Sequence, residues 1–181
     1  FKSSTKEYAK KLIKKFKKNN YDIIEVHNRP LILEELLKNI DTRYIMYFHN
    51  DPLSMKGSKT INQRLDIISK VEKIIFLSEW TQKRFFIDID DKLKTKTEVV
   101  YPSVNLKKKI SNKKKYITFI GKLNSAKGYD IFGEAILKVL NEFPNWKCVV
   151  VGDEPREKHI FNHKNLKLYS FKGNSFVLNL L

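Results

Sequence analysis

The chain has 181 residues, of which 41% are hydrophobic, so it has enough apolar side chains for one or two folded domains and is not a disordered tail. Its formal charge is +16, but only five of its 36 basic residues are arginine, the residue that phosphate and base recognition favours, so we expect no nucleic-acid partner. The sequence has no run of eighteen or more apolar residues, and its single cysteine excludes an internal disulfide.

The first part of the chain alternates amphipathic segments with short β-branched segments. This alternation is typical of strand-helix units around a mainly parallel sheet. In chain order, the predicted helices span residues 4–18, 31–39, 62–70 and 79–86. The predicted strands span residues 22–26, 44–48, 73–77 and 98–101. We assign residues 1–102 to a first α/β domain.

A change of composition separates this domain from a second one. Residues 103–115 contain Ser, Asn and two lysine triplets with few apolar side chains, which predicts an interdomain linker. After it, strands are predicted at residues 116–120, 146–151 and 166–170, with a helix at 129–143. Residues 116–181 therefore form a second α/β domain. Each domain has few strands for a doubly wound fold, so we expect both to be incomplete in this chain.

Residues that directly follow strands are the first candidates for a site. In open α/β sheets, ligands bind at the carboxyl ends of the strands. In the first domain the candidates are His27, Asn28, His49, Asn50, Asp51 and Ser78. In the second domain they are Gly121, Lys122, Lys127 and Gly152.

The segment after the strand at residues 116–120 carries the strongest chemical signal. Gly121 ends the strand, and Lys122 and Lys127 bracket a short loop before a helix. Glycine lets a backbone approach an anion, the helix start offers free N–H groups, and two ammonium groups add positive charge. The pattern predicts a diphosphate-binding loop. Two solvated surface lysines are the alternative interpretation.

Three other side chains are interpreted as structural or solvated. Cys148 lies in an apolar segment and is predicted to be a buried thiol. His159 and His163 lie in a polar segment and are interpreted as solvated. A metal site at these histidines is not expected, because no cysteine or acidic partner is apparent.

The loop motif resembles that of family 4 of the glycosyltransferases with the GT-B fold. In that family the strand ends in Gly-Arg-Leu and is followed by Lys-Gly. Here residues 121–123 are Gly-Lys-Leu and residues 127–128 are Lys-Gly. Lys122 therefore stands where the family has arginine, which keeps the charge but loses the bidentate fork.

The resemblance implies an organisation into two Rossmann-like, doubly wound domains. Residues 1–102 would be the C-terminal part of the acceptor-side domain, and residues 116–181 the N-terminal part of the nucleotide-sugar-binding domain. Gly121, Lys122 and Lys127 would hold the donor's diphosphate. No metal or other cofactor is expected, because the lysines supply the positive charge.

The resemblance also gives His49 a catalytic role. The family places a histidine after a first-domain strand, facing the donor sugar, where it donates a hydrogen bond or stabilises developing charge. A structural histidine stays the alternative. The other candidates are assigned to acceptor or cleft contacts: His27, Asn28, Asn50, Asp51, Ser78 and Gly152.

The implied activity is transfer of a sugar, with retention of configuration, from a nucleotide-diphosphate sugar to a glycan or lipid-linked acceptor. This would serve cell-surface polysaccharide synthesis in the cytoplasm, with peripheral contact to the anionic inner face of the plasma membrane. The family's two donor-binding glutamates are not found at their place, so we expect this fragment to be inactive by itself. The alternative is a basic module that binds an anionic polymer or membrane through residues 6–18.

Overall fold

The computed structural model describes residues 5–103, 113–157 and 159–180. The chain divides into two compact units, Phe1–Asn105 and Leu106–Leu181. Most of the predicted linker lies outside the described residues, so residues 103–115 keep that assignment as a prediction.

Unit 1 is a four-stranded parallel sheet with its strands in chain order. The strands are β1 (Ile23–His27), β2 (Arg43–Phe48), β3 (Lys73–Phe76) and β4 (Thr97–Val99). The helices are α1 (Thr5–Phe16), α2 (Pro30–Leu37), α3 (Ile61–Lys70) and α4 (Glu79–Phe85). Two 3₁₀ turns, Pro52–Ser54 and Asp91–Lys96, complete it.

Unit 2 is a three-stranded parallel sheet, also in chain order. Its strands are β5 (Tyr116–Ile120), β6 (Lys147–Val151) and β7 (Leu166–Tyr169). Its helices are α5 (Tyr129–Glu142) and α6 (Asn174–Leu180), with a 3₁₀ turn at Ser125–Lys127. In both units the predicted strands and helices are present, with ends within two residues of the predicted ones, and the predicted α/β class is confirmed.

Each unit has its own core because its sheet buries apolar side chains under helices. In unit 1 the rings of Phe48, Phe76 and Phe85 pack together, with centroids 5.2 to 5.7 Å apart. In unit 2, Tyr129 of α5 packs with Cys148 and other buried residues. Cys148 is the predicted buried thiol, and burial raises its pKa to about 11. In the part of the chain that the structure describes, every helix is too short or too polar to cross a bilayer.

Local capping sequences decide where two helices of unit 1 begin. Thr60 and Gln63 form a capping box at the start of α3, and Ser78 and Thr81 form one at the start of α4. Each of these helices therefore begins at a defined residue. This fixes the loops at the carboxyl edge of the sheet, where the candidate residues lie.

Arg64 is a buried charged residue that ties α3 to the end of α4. It is 2% exposed, and its Nη1 donates to the carbonyls of Phe85 and Ile87, the latter at 2.8 Å. Its Nε donates to the Thr60 carbonyl at 3.3 Å. These bonds satisfy carbonyl groups that α4 leaves open where it ends.

We expect Arg64→Met to lower the free energy of unfolding of unit 1 by about 3 kcal/mol, because the buried carbonyl of Phe85 and the part-buried carbonyl of Ile87 lose their donor. The exposed Arg43 offers a matched control, and Arg43→Met is expected to cost about 0.5 kcal/mol or less. Urea unfolding followed by Trp80 fluorescence in a Trp146→Phe background isolates unit 1. Equal losses for the two variants would contradict the structural role of Arg64.

Candidate functional site

The loops after β1 and β2 lie side by side in unit 1. The two strands pair in parallel, with His27 opposite Tyr47. Asn28 follows with a φ of 54°, and its Oδ1 accepts the backbone N–H of His49 at 2.8 Å and that of Asn50 at 3.4 Å. Asparagine tolerates this left-handed conformation better than most residues. The structure thus brings four of the predicted site residues together.

Two imidazoles meet at this edge of the sheet. His27 Nδ1 lies 2.8 Å from His49 Nε2, and the His27 ring stacks on Tyr47 with centroids 4.3 Å apart. On its other side, His27 Nε2 lies 3.5 Å from Glu25 Oε2. Removal from solvent, followed by the nearby His27, lowers the pKa of His49.

Sequence reasoning missed Glu25 and Tyr47 as members of this group. Side chains two residues apart on a strand point to the same face, so Glu25 was bound to accompany His27. Tyr47 has the same relation to His49. The alternation of side chains along each strand could have indicated these two pairs. Only the pairing of β1 with β2 shows that the two pairs lie next to each other.

Two other predicted residues of unit 1 are engaged in local structure. Arg84 donates to both carboxylate oxygens of Asp51, from Nε at 3.2 Å and from Nη2 at 3.0 Å, and this pairing lowers the pKa of Asp51. Ser78 Oγ accepts the N–H of Thr81 at the start of α4. Both side chains hold the loops in place, and a contact with substrate stays a prediction for each.

In unit 2, two glycines extend the strand pairing at the carboxyl edge. Gly121 N donates to the carbonyl of Val151 at 3.0 Å, and Gly152 N donates to that of Tyr169 at 3.1 Å. A Cβ on Gly152 would stand only 1.8 Å from the Gly121 carbonyl oxygen. Glycine at position 152 is therefore what allows the loop after β5 to start so close to β6.

Lys122 and Lys127 flank the loop after β5, and both side chains are exposed. We expected free N–H groups at the start of the following helix, and there the N–H of Tyr129 is occupied, as are three N–H groups of the preceding loop. The N–H groups of Ser125, Lys127, Gly128 and Tyr129 donate to Glu157, Asn124, Ser125 and Asn124 respectively. Asn124 caps the turn and closes it on itself, so most of the loop's positive character resides in the two lysines.

Two carboxylates from the segment after β6 hold this loop. Glu154 is 7% exposed, and Arg156 Nε donates to it at 2.8 Å. The hydrogen bonds from Arg156, with a smaller contribution from Lys122, lower the pKa of Glu154 to about 2. Glu157 Oε2 accepts the N–H of Ser125 at 3.0 Å. Glu154 lies in the strand-end segment after β6, where candidates were expected, whereas Glu157 was missed because it reaches the loop only through the fold.

The interpretation of His159 and His163 as solvated was wrong. Both are half-buried. His159 Nε2 lies 3.1 Å from Ser125 Oγ and 3.4 Å from Glu157 Oε2, and His163 Nδ1 accepts the N–H of Asn165 at 3.0 Å. Within the described ranges, no three His, Cys, Asp or Glu side chains are placed to bind one metal ion.

Comparison with known families places this loop in a defined context. Residues 104–172 match the family described as Glycosyl transferases group 1. The matched segment runs from before β5 to beyond β7 and so contains Lys122, Lys127 and both glycines. The resemblance that the loop motif indicated is thereby confirmed.

Individual proteins resemble a larger part of the chain. YtcC of Bacillus subtilis (strain 168), named as a candidate glycosyltransferase, is 25% identical over 165 residues, which are 80% of this chain and 40% of that protein. Spore coat protein SA of the same organism is 24% identical over 158 residues, 76% of this chain and 41% of that protein. The chain thus spans about two fifths of the length of the curated relatives that it matches.

A solved structure extends the likeness to the fold. Alr3699/HepE of Anabaena, crystallised in complex with UDP-glucose, matches with a TM-score of 0.64 and 15% identity. The match covers 91% of this chain and 52% of that one. It confirms the predicted GT-B fold class.

We expect Gly152→Ala to lower the free energy of unfolding of unit 2 by about 3 kcal/mol, because the added methyl group overlaps the Gly121 carbonyl. At Gly173 an added Cβ would meet no atom within 4 Å, so Gly173→Ala should change it by less than about 0.5 kcal/mol. Urea unfolding monitored by Trp146 fluorescence in a Trp80→Phe background gives both values. A harmless Gly152→Ala would show that the close approach is not required.

Proposed function

We propose that this chain belongs to the group 1 glycosyltransferases, whose model residues 104–172 match, and that its protein transfers a sugar from a nucleotide-diphosphate sugar to a glycan or lipid-linked acceptor. The observation that carries the proposal is the loop between β5 and α5, with Lys122 and Lys127 exposed at its two ends. Their ammonium groups would neutralise the diphosphate as it leaves the sugar, without a metal ion.

The surroundings of the two lysines support this role. Lys122 interacts electrostatically with Glu154. That carboxylate is already paired with Arg156, so the positive charge of Lys122 remains available to a ligand. Lys127 forms no ion pair with any residue that the structure describes. A loop held by its own hydrogen bonds and ending in two uncommitted cations suits a ligand with two phosphate groups.

The finer features of the reaction belong to the same proposal. The relative crystallised with UDP-glucose supports a uridine diphosphate sugar as donor, and the likeness to Spore coat protein SA supports a product at the cell surface. Retention of configuration and a place for His49 beside the reacting sugar follow from the family resemblance. We propose the complete reaction for a protein of the relatives' length, and donor binding without turnover for these 181 residues.

Lys127→Ala should weaken the binding of a nucleoside diphosphate at least about ten-fold, because one charge-assisted contact with phosphate is lost. Isothermal titration calorimetry with UDP, GDP and ADP measures the affinity and shows which nucleobase the site prefers. Lys122→Arg should bind as tightly as the original chain or more tightly, because arginine restores a bidentate fork.

The matched control is Lys138→Ala, an exposed lysine of α5 with the same change of charge, for which less than about a two-fold effect is expected. Similar losses at Lys127 and Lys138, both removed by added salt, would indicate nonspecific attraction. That result would contradict a diphosphate site in this loop.

We also propose peripheral contact with an anionic membrane at the cytoplasmic face of the plasma membrane. The supporting observation is α1, which turns Ala9 inward with Leu12, Ile13 and Phe16 packed against the core. The lysines of the same segment are exposed: Lys10, Lys11, Lys14, Lys15, Lys17 and Lys18. A row of ammonium groups beside a lipid-linked acceptor would hold the enzyme near its substrate.

The double variant Lys10→Glu/Lys14→Glu should bind vesicles of phosphatidylglycerol and phosphatidylcholine at least about ten-fold less tightly, since each lysine near an anionic surface contributes about 1 kcal/mol. Co-sedimentation measures the effect, and pure phosphatidylcholine vesicles should bind neither protein. Lys138→Glu/Lys172→Glu in unit 2 carries the same change of charge. An equal loss for that pair would exclude α1 as the contact.

A further inference from the structure

A carboxylate and two imidazoles form a connected line at the carboxyl edge of unit 1. Glu25 Oε2 lies 3.5 Å from His27 Nε2, and His27 Nδ1 lies 2.8 Å from His49 Nε2. The Tyr47 ring stacks on His27, with their planes within 6° of parallel, and holds the middle imidazole in this orientation. The line ends at His49 Nδ1, which hydrogen-bonds to no residue in the described part of the chain.

The direction of one hydrogen bond fixes the tautomers of both rings. Two neutral imidazoles share a single proton in such a bond. The carboxylate of Glu25 favours a proton on His27 Nε2, which leaves His27 Nδ1 to accept from His49 Nε2. His49 Nδ1 is then bare and accepts a hydrogen bond.

Adding one proton to the pair reverses that direction. His27 becomes an imidazolium that faces Glu25 through Nε2–H and donates to His49 through Nδ1–H. His49 Nε2 now accepts, so the proton of His49 lies on Nδ1. The outer nitrogen thereby changes from acceptor to donor, while the positive charge resides on His27 beside a carboxylate.

We propose that Glu25, His27 and His49 form a proton relay in which His49 Nδ1 exchanges a proton with a bound hydroxyl group. In the forward step the O–H bond breaks and His49 Nδ1–H forms, while the proton on His49 Nε2 moves to His27 Nδ1. The hydroxyl oxygen keeps the electron pair. His49 is the catalytic residue, and His27 and Glu25 are positioning residues that act through it. Only the identity of the hydroxyl, on an acceptor or a donor sugar, rests on the proposed function.

The environment of the relay agrees with this division of roles. Loss of solvent and the nearby His27 lower the pKa of His49, so this site disfavours a positive charge on the His49 ring. Tyr47 Oη lies 3.5 Å from Glu25 Oε1, and Tyr8 and Arg29 line the cavity of about 430 Å³ next to Glu25 and His27. The positive charge of Arg29 disfavours protonation of His27, whereas the negative charge of Glu25 favours it. Because the His27 and Glu25 side chains are 48% and 49% exposed, we expect modest effects of single substitutions.

The test is a ¹⁵N NMR titration of the imidazoles of the 181-residue chain between about pH 8 and pH 5, with His27→Gln and His49→Gln for assignment. On acidification, His49 should first exchange its proton from Nε2 to Nδ1 as His27 becomes doubly protonated. Glu25→Gln should reduce the proton affinity of the pair about three- to ten-fold. Glu72→Gln, an exposed carboxylate before the amino end of β3, should change it less than about two-fold.

Two results would overturn the relay. One is double protonation of His49 before His27, and the other is an equal effect of Glu25→Gln and Glu72→Gln. Because the titration needs no nucleotide, failure of nucleoside diphosphates to bind would reject the proposed function and leave the relay standing. If nucleoside diphosphates bind but the titration gives either of the two results above, the relay alone would be rejected.

Discussion

Parallel pairing of neighbouring strands is the constraint on which both candidate sites depend. In unit 1 the register that sets His27 opposite Tyr47 brings two loops against each other, and the Asn28 side chain then joins them. In unit 2 the same arrangement brings Gly121 against Gly152. A slip of one residue in the sheet of unit 1 would turn His27 to the opposite face from Tyr47, and a slip in unit 2 would part the two glycines. The relative positions of the candidate site residues therefore depend on the register of the two sheets.

The two units use charge in opposite ways. In unit 2 two acidic side chains beside the loop are engaged within the fold, Glu154 with Arg156 and Glu157 with a backbone N–H, while the lysines of the loop face solvent. In unit 1 an exposed carboxylate, Glu25, stands next to a histidine. This difference underlies our two proposals, that one edge holds an anion and that the other moves a proton.

Periodicity was enough to predict the strands, the helices and the residues at the strand ends, because the hydrophobic pattern of parallel strand-helix units is local. Contacts between distant segments were not predictable in this way. The His27–His49 bond joins residues 22 positions apart, and Glu157 reaches a loop 32 positions earlier. The motif around Lys122 indicated an anion loop, yet the occupied N–H groups depend on how Asn124 folds back on its own turn.

The bond between Glu157 and the Ser125 amide means that the loop already has an internal anion before any ligand arrives. A small monovalent ion can gain little there, since it would have to compete with a tethered carboxylate whose effective concentration is high. A ligand with several charges can instead engage the lysines and leave that carboxylate in place. We therefore expect Glu157 to favour anions with several charges over small monovalent anions at this loop.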